Sequence, residues 1–587
     1  MSSDVQDMLA TRKQVEDEIA THAQAIIDLR GRLNTMTSIA RLPPELLSEV
    51  FLHVVRDSYY TDMSPNYPPY GTARFYNWVK VSHVCRSWRA IALGTPRLWG
   101  HIILTKRPVV EDILARSKKA PLLVRACILS STDERAQLLE NVLQDSSRLQ
   151  ELRLSGPARL LQELCPKLTG PAGKLETLVL AENAAYSHAY TPNVGDTALS
   201  AALFEGQLPL LRSLEIRRLV FNWKNPVLSS TLTSLVLAGR FDSQSMLGSF
   251  DQLLVTLETM THLESLEIED AIPRLPSETV ALPTPERKVA LPRLRCIALT
   301  GQCLDCANLA QHLSLSPTAR AALVGRGSNN SRELIRIMGE HIARYKPLLT
   351  ARISSSYNAQ LHLRGWRALV DPSAAPEPCI ELRIDALSYP SLASHLVHDT
   401  KVLAQVRTLE IASQYTDWRW KVVFAGMPKL RTLSMSYNPG EEFISALSKV
   451  LRGKKGRSPS MILPDLRVVK FTQTRMCRGD YDEDEDGPDF LDRLEDWLIM
   501  RCNYNLPIDE LYLAGCTNFT EDEMDRLVGL VPTLDWDGMV EFDSGSEEDE
   551  DEDEDEEDEY DDPYYDDMID YDYDFDGGYD GDFFGFY

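Results

Sequence analysis

Apolar residues recur along this chain in three rhythms. Over residues 5–37 they fall in alternating steps of four and three, at Met8, Arg12, Val15, Ile19, His22, Ile26, Leu29, Leu33 and Met36. That spacing predicts one long helix with a heptad seam. Arg12 and His22 interrupt the seam and weaken self-association through it, and Gly31 is its strong helix breaker. A helix lying on its own domain explains the pattern as well as an intermolecular coiled coil does.

The second rhythm begins at Leu42-Pro43-Pro44-Glu45 and continues as an apolar face of Leu46, Leu47, Val50, Phe51 and Val54. Proline suits a first helical turn, where the amide hydrogens lack intrahelical partners. Glu45 sits where the helix dipole favours negative charge. The Pro- and Tyr-rich stretch 57–77 predicts a loop. Trp78, Val79, Val81, Val84, Cys85, Trp88 and Ile91 then return at helical spacing, until Gly94-Thr95-Pro96 stops the helix and Leu98-Trp99 adds an apolar anchor.

The third rhythm fills most of the chain. The pattern L-x-x-L-x-L appears at 149–154, 175–180, 211–216, 232–237, 263–268 and 294–299, then at 379–384, 406–411, 430–435, 466–471 and 508–513. A weaker candidate stands at 359–363. The long interval between 299 and 379 accommodates two degenerate units. Each unit predicts a short strand with alternate side chains inward and a return segment, helical in MLGSFDQLLVTLETM. One such unit has no means of burying its own face, so units must stack.

Composition narrows the function. The formal charge is −27, from 61 Lys+Arg against 88 Asp+Glu. Residues 541–587 hold 25 of those acidic residues and no Lys or Arg, which leaves 63 acidic against 61 basic in the body, a net of −2. A nearly neutral body argues against direct nucleic-acid binding. The tail reads as disordered by self-repulsion over 544–562, then interleaves Asp with Tyr and Phe. It is expected either to solubilise the chain or to dock a basic partner. No apolar leader or membrane-length apolar run occurs, so a cytoplasmic or nuclear protein with reduced thiols is expected, with no membrane partner. Arg452, Lys454, Lys455 and Arg457 form a weak nuclear address or a solvated loop.

Candidate chemistry is sparse. Ten cysteines are scattered, with Cys303 and Cys306 as a lone CxxC and no second pair nearby to complete a zinc site. The acidic cluster Asp480–Asp489 lacks EF-hand spacing and reads as a loop before a helix. No phosphate-binding, nucleophile-elbow or HExxH motif occurs. No catalytic residue, cofactor or metal is therefore expected.

Leu42, Pro43 and Glu45, then Val84, Cys85, Trp88, Ile91 and Ala92, then Leu98 and Trp99 match the ordered elements of an F-box. The stretch resembles the F-box proteins abundant in mushroom-forming fungi, apart from the 57–77 insertion. The resemblance implies a non-catalytic receptor that binds a Skp-family adaptor, and through it a cullin. Leu42, Pro43, Leu46, Leu47, Val84, Cys85 and Trp88 are the expected adaptor-binding residues. The repeats resemble a leucine-rich-repeat array, with Asn183, Asn438 and Cys516 at the usual Asn/Cys position. An unknown protein substrate is expected on the exposed strand positions, with Arg153, Glu176, Arg212, Glu215, Glu267, Arg383, Glu410 and Lys470 as candidates.

The fold class expected is α/β: an N-terminal helix (1–37), a small helical F-box (38–105), a helical transition (106–145), an irregular leucine-rich-repeat solenoid (146–540) and a disordered acidic tail (541–587). The function expected is substrate recognition in a Skp–cullin–F-box ubiquitin ligase. The alternative is a non-catalytic scaffold or histone-chaperone-like interaction protein.

Overall fold

The computed structural model describes residues 3–60, 76–130, 132–182, 199–200, 203–240, 246–276, 278–327, 330–356, 360–374, 376–385, 396, 400–412, 419–440, 442–451, 460–478 and 488–542. The acidic tail beyond Phe542, the centre of the 57–77 segment, Asn183, the basic cluster at 452–457 and most of the 480–489 loop lie outside these residues.

Helix α1 (Ser3–Thr35) is followed by α2 (Pro44–Tyr60) and α3 (Arg86–Gly94). Pro44 opens α2 and Glu45 lies in its first turn. Cys85 caps α3, its sulfur accepting from the Trp88 amide at 3.5 Å. Leu98 and Trp99 are fully buried, and the Trp99 indole donates to the Ala92 carbonyl at 2.9 Å. Trp78 meets Trp99 edge-on, with centroids 5.0 Å apart. These helices therefore close on tryptophans that also begin the sheet. Two residues after Trp99 the chain enters strand β1 (His101–Ile103), parallel to β2 (Leu122–Cys127). Gly100 makes the passage possible, since a Cβ there would collide with the Pro121 carbonyl.

The segment 106–145, expected as helical, holds α4 (Arg107–Ser117), then β2, then α5 (Glu134–Leu143). From β2 the sheet continues through β3 (Leu149–Gly156), β4 (Thr177–Glu182) and β5 (Ser213–Arg217), all in parallel. Parallel pairing extends through Ser234–Ala238, Ser265–Glu269, Cys296–Gln302, Arg320–Arg326 and Ile380–Asp385. A hairpin, Thr350–Ser356 with Gln360–Trp366, is inserted in reverse order. Its second strand lies antiparallel to Ile380–Asp385, and its first lies parallel to Thr408–Ala412. Parallel order then resumes through Thr432–Ser436, Val468–Thr472, Glu510–Ala514 and Thr533–Trp536. Among the described residues the sheet has 17 strands.

All eleven L-x-x-L-x-L segments contribute one of these strands. Their inward residues stack in register: Leu152, Leu178, Leu214, Leu235, Leu266 and Ile297 form one buried row, and Leu154, Leu180, Ile216, Leu237, Ile268 and Leu299 the next. Each such side chain contributes roughly 1.5–3 kcal/mol by leaving water. Return helices such as Phe250–Thr259, Cys303–His312 and Phe490–Asn503 cover the same side with Leu253, Leu257, Leu309, Leu494 and Trp497. Asp489 caps the last of these in a reciprocal box with Asp492, which accounts for the acidic end of the preceding loop. Among the described residues no helix is long and apolar enough to cross a membrane.

Candidate functional site

Two surfaces emerge from this arrangement. The first is the outer stripe of α2. At 100° per residue, positions four apart share a face. Leu42, Leu46, Val50 and Val54 follow that step and are all exposed, Leu46 at 54% and Leu42 at 39%. Pro43 and Val84 are exposed as well. Leu47 belongs to the other stripe. With Phe51, Val55 and Tyr59 it faces the core, only 3% exposed, so its place in the expected adaptor face is corrected. Trp88 is half-buried, its ring 5.0 Å from Phe51, and half-buried Cys85 caps its helix. Trp88 thus packs against the inner side of α2, and Cys85 holds the start of its helix. Val50 and Val54 were missing from the expected face, although the four-residue step from Leu42 points to them.

The second surface is the exposed side of the sheet. Backbone register lines up Arg153, Val179, Glu215, Val236, Glu267, Ala298, Ala322 and Glu381, and continues with Arg364, Arg352, Glu410, Ser434, Lys470 and Tyr512. Five of the eight candidate target-binding residues share this row. Arg383 does not. Through Leu323, Leu382 aligns with Leu299 rather than Ile297, which sets the 379–384 segment two residues out of its expected register. Glu381 takes the place expected for Arg383, which falls in the next row. Exposed Glu176 and Arg212 lie ahead of their strands on the rim, joined by the Arg212 amide donating to the Glu176 carbonyl at 2.8 Å.

Most of the row's charges are already matched within the chain. Arg153 pairs with Glu151 at 2.6 Å, and Arg217 bridges Glu215 and Glu267. Arg352 faces Glu410 at 3.4 Å, and Glu381 receives His362, Arg364 and Arg383. Lys470 lies over the Tyr512 ring at 4.9 Å. Glu410 is buried, and burial raises its carboxyl despite Arg352. It is thus a poor first contact for a partner, unlike the other charges of the row. Glu151 and Arg217 complete their pairs with Arg153 and Glu215 from two residues away on the same strand, whereas Arg352 reaches Glu410 across strands, a pairing that depends on register.

Between the two surfaces lies a cavity of about 290 Å³, lined by Arg56 and Tyr60 of α2, by His101, and by Gln150, Glu151 and Glu176. Tyr60 donates to Glu151 at 2.9 Å, and burial, then the Glu151 charge, pushes its phenol up to about 12. Burial lowers His101 and keeps it neutral. The lone CxxC pair, Cys303 and Cys306, lies in a return helix. Cys303 is buried, bonds to the Gly327 carbonyl, and is pushed up to about 12 by burial. Burial also raises Cys306 well above its ordinary value. Without a partner charge or metal, burial of this kind keeps a thiol protonated.

A comparison with the curated proteins finds no match to this chain. Residues 39–105, which span α2, α3 and the Trp99 anchor, match the family model described as F-box-like. This stretch, with its exposed Leu42–Val54 stripe and its tryptophan-closed core, is an F-box-like domain.

Proposed function

We propose that the chain is the substrate-recognition subunit of a Skp–cullin–F-box ubiquitin ligase, acting in the cytoplasm or nucleus. The observation that carries this reading is an unpartnered aliphatic stripe, Leu42, Leu46, Val50 and Val54, on a domain that matches the F-box-like family. A Skp-family adaptor would cover that stripe. The largely parallel strand ladder, eleven of whose 17 described strands each hold one leucine-pattern segment, supports reading the body as an irregular leucine-rich-repeat solenoid. In that reading a protein target lies along the charged row, where Arg153, Glu215, Glu267 and Lys470 remain partly exposed. The chain itself contributes position: it raises the local concentration of a target lysine near the conjugating enzyme.

Affinity purification of wild type against Leu42→Asp/Leu46→Asp tests the reading. Both residues are exposed, so folding should survive, as circular dichroism would verify. Adaptor and cullin should leave with wild type and be lost from the variant. Equal recovery of the adaptor with both forms would refute the assignment, and histone capture by wild type without adaptor would favour the scaffold reading.

A further inference from the structure

Helix α1 leaves its whole seam in water. Met8, Val15, Ile19, Ile26, Leu29, Leu33 and Met36 are exposed, from 49% at Val15 to 74% at Met8. The helix meets the rest of the chain through other positions: Asp28, off the seam, reaches Arg86 of α3 at 3.9 Å. A helix laid on its own domain would bury the stripe, so that explanation of the heptad pattern does not hold. Seven large aliphatic side chains along one face are instead the signature of a missing partner helix.

The charges flanking the seam identify that partner. With Ile19, Ile26 and Leu33 at a positions and Val15, His22 and Leu29 at d, Glu16 and Glu18 flank the amino-terminal half. Arg30 and Arg32 occupy the same flanking positions in the carboxy-terminal half. The helix is therefore complementary to itself reversed. An antiparallel pair centred on Gln24 sets Val15 against Leu33, Ile19 against Leu29 and His22 against Ile26. It also sets Glu16 against Arg30 and Glu18 against Arg32, each contact occurring twice by symmetry. Arg12 falls against Met36, where its stem covers the thioether while its guanidinium keeps the 2.9 Å bond to Glu16.

A parallel pair fails on the same residues. It would stack Arg12 on Arg12 and His22 on His22 inside the seam. Glu18 would face Ala23, and Arg30 would face Ala25, leaving every flanking charge without an opposite. We infer that α1 is an antiparallel homodimerisation helix, joining two copies of this chain over residues 12–36, a length of about 37 Å. The surface it uses is separate from the Leu42–Val54 stripe, so each copy remains able to take its own partner.

The test is sedimentation velocity on the full chain across a dilution series. Wild type should shift from monomer to dimer with concentration, and Ile19→Asp/Leu29→Asp should stay monomeric with an unchanged circular dichroism melt. Glu16→Lys/Glu18→Lys should weaken the dimer at least about tenfold by opposing like charges. Adding Arg30→Glu/Arg32→Glu to the same chain should restore it, because the reversed charges again meet their opposites. Two outcomes would overturn the inference: wild type that is monomeric throughout, or a dimer indifferent to the Glu16/Glu18 reversal. The same holds if Ile19→Asp/Leu29→Asp abolishes adaptor capture instead of self-association.

Discussion

The phenol of Tyr60, in the last turn of α2, donates to the carboxylate of Glu151 on β3 across 2.9 Å. Glu151 is buried and also receives Arg153 at 2.6 Å. Two residues assigned by sequence to separate units thus share one polar contact, next to a continuous core that runs from Phe51 and Val55 through Trp99 and Ile102 to Leu152. The F-box-like helices are consequently not a freely hinged module. The sheet begins inside their core.

Removing that donor should be felt globally. Tyr60→Phe leaves a buried carboxylate with one partner fewer, which costs about 1–3 kcal/mol. In urea unfolding the midpoint should fall while the slope is kept. A double-mutant cycle with Glu151→Gln should show coupling between the two sites. Additivity within error would mean the contact holds nothing together.

The two stripes of α2 should separate binding from stability. Leu46→Ala removes exposed apolar surface, so its melting temperature should stay close to wild type while adaptor capture weakens. Leu47→Ala empties a packed site and should cost about 2–5 kcal/mol. Thermal melts and quantitative pull-downs on both variants decide the matter. Equal destabilisation would show that the two leucines do not face opposite ways.

Arg501 offers a different kind of test. It is fully buried, sits 5.4 Å from the Trp497 ring and donates to the carbonyls of Leu506, Leu463 and Leu466. Burial lowers its guanidinium to about 10, still fully charged at neutral pH. The Leu463 and Leu466 carbonyls have other donors in the Leu466 amide and in Arg467. The Leu506 oxygen therefore bears most of the loss. Arg501→Met should cost about 2–4 kcal/mol in chemical denaturation, the lost bonds outweighing the relief of an unburied charge. A variant as stable as wild type would show that relief to be the larger effect.

Much of this architecture is legible in the chain because its strands repeat one local rule. Alternation marks the inward rows wherever two large apolar residues stand two apart, as at Leu178 and Leu180 or Leu433 and Met435. The rule fails where the pattern is thin. LLVRAC, which forms β2, lies between two charged helices and carries no leading leucine three residues ahead. The hairpin at 350–366 reverses the strand order, and no local pattern encodes which neighbour a strand will choose. The two-residue slip that exchanges Glu381 for Arg383 has the same origin, since Ile380, Leu382 and Ile384 offer two equally apolar registers. On the F-box side the motif locates the domain. Only the helical phase separates Leu46 from Leu47, and both lie inside the same apolar run.

Acid should loosen the body at His341. The ring packs edge-on to Tyr345, and burial, reinforced by the Arg367 and Arg344 charges, lowers the imidazole to about 4 from an ordinary 6.5. The folded protein therefore holds this side chain neutral while the unfolded chain takes up a proton. Above pH 6.5 neither state binds it and stability is unaffected. Between 6.5 and about 4 the unfolded state binds more protons, so stability falls as the pH is lowered, levelling off once the folded form also titrates. His341→Phe keeps the ring contact with Tyr345 and removes the titration. After allowing for partial solvent screening, wild type should lose about 1–2 kcal/mol more than the variant between about pH 7 and about pH 4.5. Parallel urea titrations at the two pH values measure that difference directly, and identical losses in both proteins would place the acid sensitivity at other groups.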